Sequence, residues 1–156
     1  MEMETEMIVE DEVLTSRGVD YETFKKQTAS LIENTLIGLL DIELVEIAKD
    51  RLVMKMPVGP KTQQPAGILH GGASVVLAET AATMATSVNI DIDKFAPVGM
   101  EINANHIRSK KDGVVTALAT PLHRGRTSMV WDIKITDEEG KLICVSRCTM
   151  AVIRKR

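Results

Sequence analysis

Aromatic residues are scarce in this 156-residue chain: Phe, Tyr and Trp make up 3% of it, with a single Trp at position 131. A core with so few rings has to be filled by Val, Ile, Leu, Met and Ala, and a hydrophobic content of 44% supplies them. Long basic stretches are also missing. The formal net charge is -3, and Lys and Arg are scattered among acids, so no basic face is available to neutralise a phosphate backbone and a nucleic-acid partner is not expected. No run approaches the ~18–20 apolar residues of a membrane span. The acidic start MEMETEMIVEDE is the opposite of a basic signal leader, which points to a cytoplasmic protein with no membrane partner. Cysteine is limited to Cys144 and Cys148. They lie on one face of a segment that alternates like a strand, too far apart along it to bond to each other, and read as reduced core or interface thiols rather than a metal or redox pair.

The length suits one domain with a real core. Residues 1–20 form an acidic arm, expected to be a loosely held helix or an unpacked extension, and 21–156 form the single domain. Tyr21, Phe24, Thr28, Leu31 and Ile32 fall at helical spacing and predict an amphipathic helix. The period then changes to alternation through Ile42, Leu44, Val45 and Ile47, and again through Leu52, Met54 and Met56, with the polar turn between them predicting a hairpin. A Gly- and Pro-rich loop, GPKTQQPAGILHGG, leads into a helix expected from about Ala73 to Val88. Four further apolar or alternating segments follow, separated by KKDG, HRGR and DEEGK, which are turn chemistry. The order predicts an α+β chain whose antiparallel sheet has one long helix to cover it. That helix carries Ala73, Ser74, Ala78, Ala81, Ala82 and Ala85, so little bulk stands on any face, and it suits the inside of a curved sheet.

Within the helix segment, HGGASVVLAE poses a chemical question. The N–H groups of Gly71 and Gly72 open the helix without partners in it and form a site for partial negative charge, although Gly there also simply permits a tight entry. His70 reads as a hydrogen-bond donor or as a cap, and Gln63 and Gln64 as loop amides. Glu79 stands among Val75, Val76, Ala78, Ala81 and Ala82 with no cation within a turn, a costly place for a carboxylate on a surrounded helix unless it has work to do. Gly71 and Glu79 are eight residues apart, about 12 Å along a helix axis, and on different faces. One chain can hardly bring both to one carbonyl. If they cooperate, two chains must supply them across a two-fold axis.

The stretch QPAGILHGGASVVLAETAAT, with EINANHIRS and PLHRGRTSMVWDIKI downstream, resembles the hotdog-fold acyl-CoA thioesterases. The likeness runs over roughly residues 36–153 and is greatest to the branch holding the Arthrobacter-type 4-hydroxybenzoyl-CoA, dihydroxynaphthoyl-CoA and phenylacetate-pathway thioesterases. It implies an antiparallel sheet wrapped around one long central helix, a homodimer and commonly a dimer of dimers. It also implies hydrolysis of an aromatic or medium-chain acyl-CoA to acid and coenzyme A, with no metal and no cofactor beyond the coenzyme A of the substrate. Position by position, Gly71 matches the backbone donor to the thioester carbonyl, Gln64 and His70 the residues that orient it, Glu79 the catalytic carboxylate of the partner subunit, and Thr83 the hydroxyl that holds the attacking water. Whether Glu79 attacks directly or activates water stays open. Arg108, Arg124, Gly125, Arg126 and Thr127 are candidates for the phosphates of coenzyme A. Asn105 and His106 match a family signature to which structural or rim roles fall, and Trp131 reads as a sheet-face residue. Two other classes occur on this fold. A hydroxyacyl-thioester dehydratase places its His on a differently spaced motif, and an acyl-CoA-sensing domain has no need of Glu79 and Thr83.

Overall fold

The computed structural model describes Ile8–Val9 and residues 32–156. The elements in chain order are β1 (Ile8–Val9), α1 (Leu36–Leu39), β2 (Glu43–Ile47), β3 (Leu52–Pro57), α2 (Gly71–Ser87), β4 (Phe95–His106), β5 (Val114–Arg124), β6 (Ser128–Thr136) and β7 (Leu142–Arg154). They form one seven-stranded sheet in the order β1-β2-β3-β5-β6-β7-β4. All neighbours are antiparallel except β1, which pairs parallel with β2 through Ile8 and Val9 against Glu46 and Ile47. The arm expected as a loose helix or unpacked extension thus contributes a short strand. The rest of it, and the helix expected over Tyr21–Ile32 apart from Ile32, lie outside the described residues.

The alternation that predicts the strands also builds the core. Leu52, Met54 and Met56 of β3, Ala117 and Ala119 of β5, Trp131 and Ile133 of β6, and Cys148 and Met150 of β7 are fully buried. All point to the face on which α2 lies, since every second residue of a strand shares one side. α2 answers with a stripe of Ala73, Ser74, Leu77, Ala78, Ala81, Ala82, Ala85 and Thr86, all buried. Small side chains let its backbone sit close to the curved sheet. A single large residue, Leu77, supplies the usual anchoring of about 1.5–3 kcal/mol expected for one buried apolar side chain. Inside this layer the indole N–H of Trp131 donates to Thr86 Oγ1 at 2.9 Å, and the Thr86 hydroxyl donates to the Ala82 carbonyl at 2.8 Å.

Two local features differ from the sequence expectation. The helix starts at Gly71 rather than Ala73, because His70 caps it. The run LIGL, apolar without a clear period, folds as the four-residue helix α1 ahead of β2.

β4 is the edge strand opposite β1, with one side unpaired by any described residue. On it Val98 and Met100 are exposed hydrophobics, and Met100 is the extra residue of a bulge between Gly99 and Glu101. Long exposed apolar edges are normally covered by charge, a loop or another chain.

Candidate active site

The loop between β3 and α2 sets the first half of the site. His70 has an extended backbone, and its Nδ1 accepts from the Gly72 N–H at 2.8 Å, while its carbonyl takes the N–H groups of Ala73 and Ser74 at 2.9 and 3.3 Å. An accepting Nδ1 is unprotonated, so a neutral His70 carries its proton on Nε2 and turns a donor outward. This arrangement satisfies every early helix N–H except that of Gly71, which makes no hydrogen bond among the described residues. The first donor of the helix, on the positive end of its dipole, is left open. Gln64 belongs to the same loop: its Oε1 accepts from the Ala66 N–H at 2.6 Å, which leaves the side-chain NH2 as the outward group.

The residue that sequence reasoning placed on the rim sits here as well. A Cβ built on Gly71 would lie 2.6 Å from Nε2 of His106, so the imidazole at the end of β4 packs directly on the helix start and would have to move for any larger residue. The signal for it was the NANH run, whose spacing from the helix gives no hint of contact.

Glu79 lies two turns further along α2, over the bulged part of β4. A Cβ on Gly99 would collide with the Glu79 carboxylate, so Gly99 is the residue that admits it. The carboxylate has no hydrogen bond or ion pair among the described residues. It lines a cavity of about 330 Å³ with Leu36 and Ile37 of α1 and Val76, Thr80, Thr83 and Met84 of α2. Thr83 donates its hydroxyl to the Glu79 carbonyl at 2.8 Å, so its oxygen lone pairs face outward as acceptors. Below Glu79, desolvation pushes the Cys148 thiol up to about 12, with the charges of Glu79 and Glu101 adding to it. Cys144 is raised by burial too. Both are free, buried and inert as nucleophiles, as the sequence expects.

The structure therefore gathers Gln64, His70 and Gly71 in one place and Glu79 with Thr83 in another, both along the free edge of β4. The phosphate candidates divide in the same manner. Arg108 lies beyond the end of β4, donating to the Leu142 carbonyl at 3.2 Å. Arg124, Gly125, Arg126 and Thr127 lie in the β5–β6 hairpin, level with Met129 and Met150. From Leu142 to Met150 along β7 is about 27 Å at the rise of an antiparallel strand. A single chain does not bring Arg108 to the hairpin. Arg124 also has structural work, donating to the Lys49 carbonyl at 3.2 Å and to Asn89 Oδ1 at 3.3 Å. The Gly125 N–H is taken by the Ser128 carbonyl at 2.9 Å, whereas the Arg126 side chain is exposed.

The family model described as thioesterase superfamily matches residues 66–144. The chain belongs to that superfamily. It is 50% identical over 117 residues to the 1,4-dihydroxy-2-naphthoyl-CoA hydrolase of Listeria monocytogenes, covering 75% of this chain and 94% of that one. It is 46% identical over 121 residues to the Escherichia coli enzyme of the same name, covering 78% and 88%. Among solved structures it resembles the Pseudomonas aeruginosa thioesterase PA1618, with a TM-score of 0.80 at 42% identity over 83% of this chain and 94% of that one. The sheet around one long helix is thus the hotdog fold, and this member of the superfamily is a thioester hydrolase. Among the described residues no group of His, Cys, Asp and Glu gathers as a metal site, and no helix is long and apolar enough to cross a membrane.

Proposed function

We propose that the protein hydrolyses acyl-CoA thioesters at a site built from two chains. The observation that carries the reading is the pairing of each half-site with a level of β4: Gly71 packs against His106, and Glu79 against Gly99. An antiparallel β4–β4 contact about a two-fold axis midway between Ile102 and Asn103 would set His106 of one protomer opposite Gly99 of its partner. The open Gly71 N–H of one chain would then face the unpartnered Glu79 carboxylate of the other. The same operation would cover the exposed edge carrying Val98 and Met100. A further face-to-face pairing into a dimer of dimers belongs to the same reading.

The chemistry follows from the groups. Attack at the thioester carbonyl, by Glu79 or by a water that Glu79 deprotonates and Thr83 holds through its acceptor oxygen, puts negative charge on the carbonyl oxygen. That charge is received by the Gly71 N–H, with the Gln64 amide and the His70 Nε2–H beside it, fixed donors that need no reorganisation as charge develops. Collapse expels the thiolate of coenzyme A, a good leaving group, giving the free acid on the water route; on the direct route it leaves an acyl–Glu79 anhydride, which water then hydrolyses to the acid and free Glu79. The acyl group enters the cavity on the Glu79 protomer, whose walls Leu36, Ile37, Val76 and Met84 favour an apolar occupant; relatives named for a dihydroxynaphthoyl-CoA substrate support an aromatic one. Coenzyme A leaves the site where Arg108 of the Gly71 protomer meets the Arg124–Thr127 hairpin of the Glu79 protomer, so the split phosphate set is reunited by the same axis.

The test is free-thiol release from benzoyl-, phenylacetyl-, naphthoyl- and straight-chain acyl-CoA by wild type and Glu79→Gln. Turnover of an aromatic or medium-chain thioester that falls by on the order of 10³ in Glu79→Gln is expected for loss of the attacking carboxylate. Equal rates for the two proteins on every thioester would overturn the reading.

A further inference from the structure

We infer that Glu138, at the turn between β6 and β7, is a positioning residue for the oxyanion half of the site, acting through the β4–β5 loop on the loop that carries Gln64 and His70. The inference rests on the thioesterase reading above for its kinetic consequences, and on hydrogen bonds alone for its structural ones.

The loop from Val58 to His70 is tied internally around the buried Thr62, whose hydroxyl donates to the Pro57 carbonyl at 2.9 Å and accepts from the Gly59 N–H at 3.0 Å. Its internal bonds are short-range, such as Gln64 N–H to the Ile68 carbonyl and His70 N–H to the Thr62 carbonyl. From outside it is fastened by the exposed Lys61–Asp41 pair at 2.9 Å and, on the side of Gln64 and His70, at three points on one short segment of the β4–β5 loop. The Val58 N–H donates to the Gly113 carbonyl at 2.8 Å, the Leu69 N–H donates to the Lys110 carbonyl at 2.7 Å, and Gln63 Nε2 donates to the Lys111 carbonyl at 2.5 Å. Gln63 and Leu69 also form an antiparallel bridge to each other, so the two fastened residues flank Gln64 and His70. The position of the two site residues therefore depends in part on where residues 110–113 stand.

That segment is in turn held by Glu138. One carboxylate oxygen pairs with Lys110 Nζ at 2.5 Å and the other accepts from the Val114 N–H at 2.6 Å, bracketing the turn at Gly113. Gly113 has φ +77, and a Cβ there would collide with the Glu138 carboxylate, so the segment is shaped around that side chain. Lys110 and the backbone N–H groups keep the Glu138 carboxyl at about 2, well below its ordinary 4.5. The Lys110 side chain is only 16% exposed, which makes this pair better shielded than the others on the surface. Glu138 touches nothing that would meet substrate. Its route to the chemistry is Glu138, Lys110 and Val114, then the carbonyls of residues 110 and 111, then Leu69 and Gln63, then His70 and Gln64.

The test combines amide hydrogen exchange with kinetics on Glu138→Ala, Glu138→Gln and Lys110→Met. Loss of the anchor is expected to speed exchange of the Leu69 amide by roughly tenfold while core amides of α2 such as Ala81 keep their rates, since only the local opening is easier. On a thioester that wild type turns over, Glu138→Ala is expected to lower kcat by roughly tenfold with KM changed less than about twofold, because oxyanion donors shifted by a fraction of an ångström lose transition-state contact first. Glu138→Gln, which keeps an acceptor for Val114, should recover part of the loss. In a Gln64→Ala background the further cost of Glu138→Ala should shrink, because one of the two donors it positions is gone. Unchanged exchange at Leu69 would overturn the inference, as would a kcat equal to wild type in a folded Glu138→Ala or equal losses in both backgrounds. Lys110→Met answers the same questions should Glu138→Ala not fold. The exchange result stands whatever the substrate, so a failure of the thioesterase reading shows separately, as wild type no faster than Glu79→Gln.

Discussion

The two faces of α2 follow opposite rules. Toward the sheet, the polar groups are matched: Trp131 N–H meets Thr86 Oγ1, Thr86 donates to Ala82, and Ser74 Oγ is the single buried side-chain polar atom without a partner among the described residues. Toward the free edge of β4, the Gly71 N–H and the Glu79 carboxylate are both left open. A folded chain pairs its buried polar groups because an orphan costs about 1–3 kcal/mol. On the function proposed above, the groups left unpaired at this edge, each with a Gly or a His beside it, are the ones that meet substrate. On that proposal the inner face serves stability and the outer face reaction.

That contrast can be broken from either side. The largest effect is expected at Glu79. Glu79→Gln should cost on the order of 10³ in kcat and leave the melting temperature unchanged or slightly raised, because a lone carboxylate contributes reactivity and not stability. Parallel thiol-release assays and thermal melts check this; a large fall in melting temperature would show that the carboxylate is structural. On the inner face the expectation reverses. Thr86→Val keeps the shape but orphans the Trp131 N–H, and should cost about 1–3 kcal/mol of stability in denaturant unfolding with kcat within about twofold of wild type. The smallest effect concerns the turn that supports the oxyanion loop. The Glu138 carboxyl titrates at about 2 in the folded chain against an ordinary 4.5, so its contribution is present in full above pH 4.5 and is lost as the pH falls from there toward 2. The difference in melting temperature between wild type and Glu138→Gln should be constant near neutrality, shrink below about pH 4.5 and vanish near pH 2.

Much of this was legible before any coordinates. Strand alternation and the Ala-rich helix gave the sheet and its covering element, because period 2 and small-residue content report burial directly. HGGASVVLAE carried Gly71 and Glu79, since an acid in an apolar helix is a local anomaly. Other parts were not local. His106 meets Gly71 only because β4 folds back along α2, and Gln63 gains its meaning from a carbonyl at Lys111, far away in the chain. α1 was hidden because LIGL is apolar throughout and has no period to read, and with it the outer wall of the cavity at Leu36 and Ile37. The distance between Arg108 and the β5–β6 hairpin was not legible either, because sequence shows neither strand direction nor the length of sheet between them.

The claim on which the account turns is that each site takes Gly71 from one chain and Glu79 from the other. Mixing two damaged chains tests it most directly. Glu79→Gln and Gln64→Ala, each nearly inactive alone, are co-expressed in equal amounts, so that half of the dimers carry both. In a shared site one of the two active centres in such a dimer keeps both intact halves, and the mixture should regain about a quarter of wild-type activity. If each site belonged to one chain, every centre would carry one lesion. The mixture would then be no more active than the mean of the two variants, which would contradict the account.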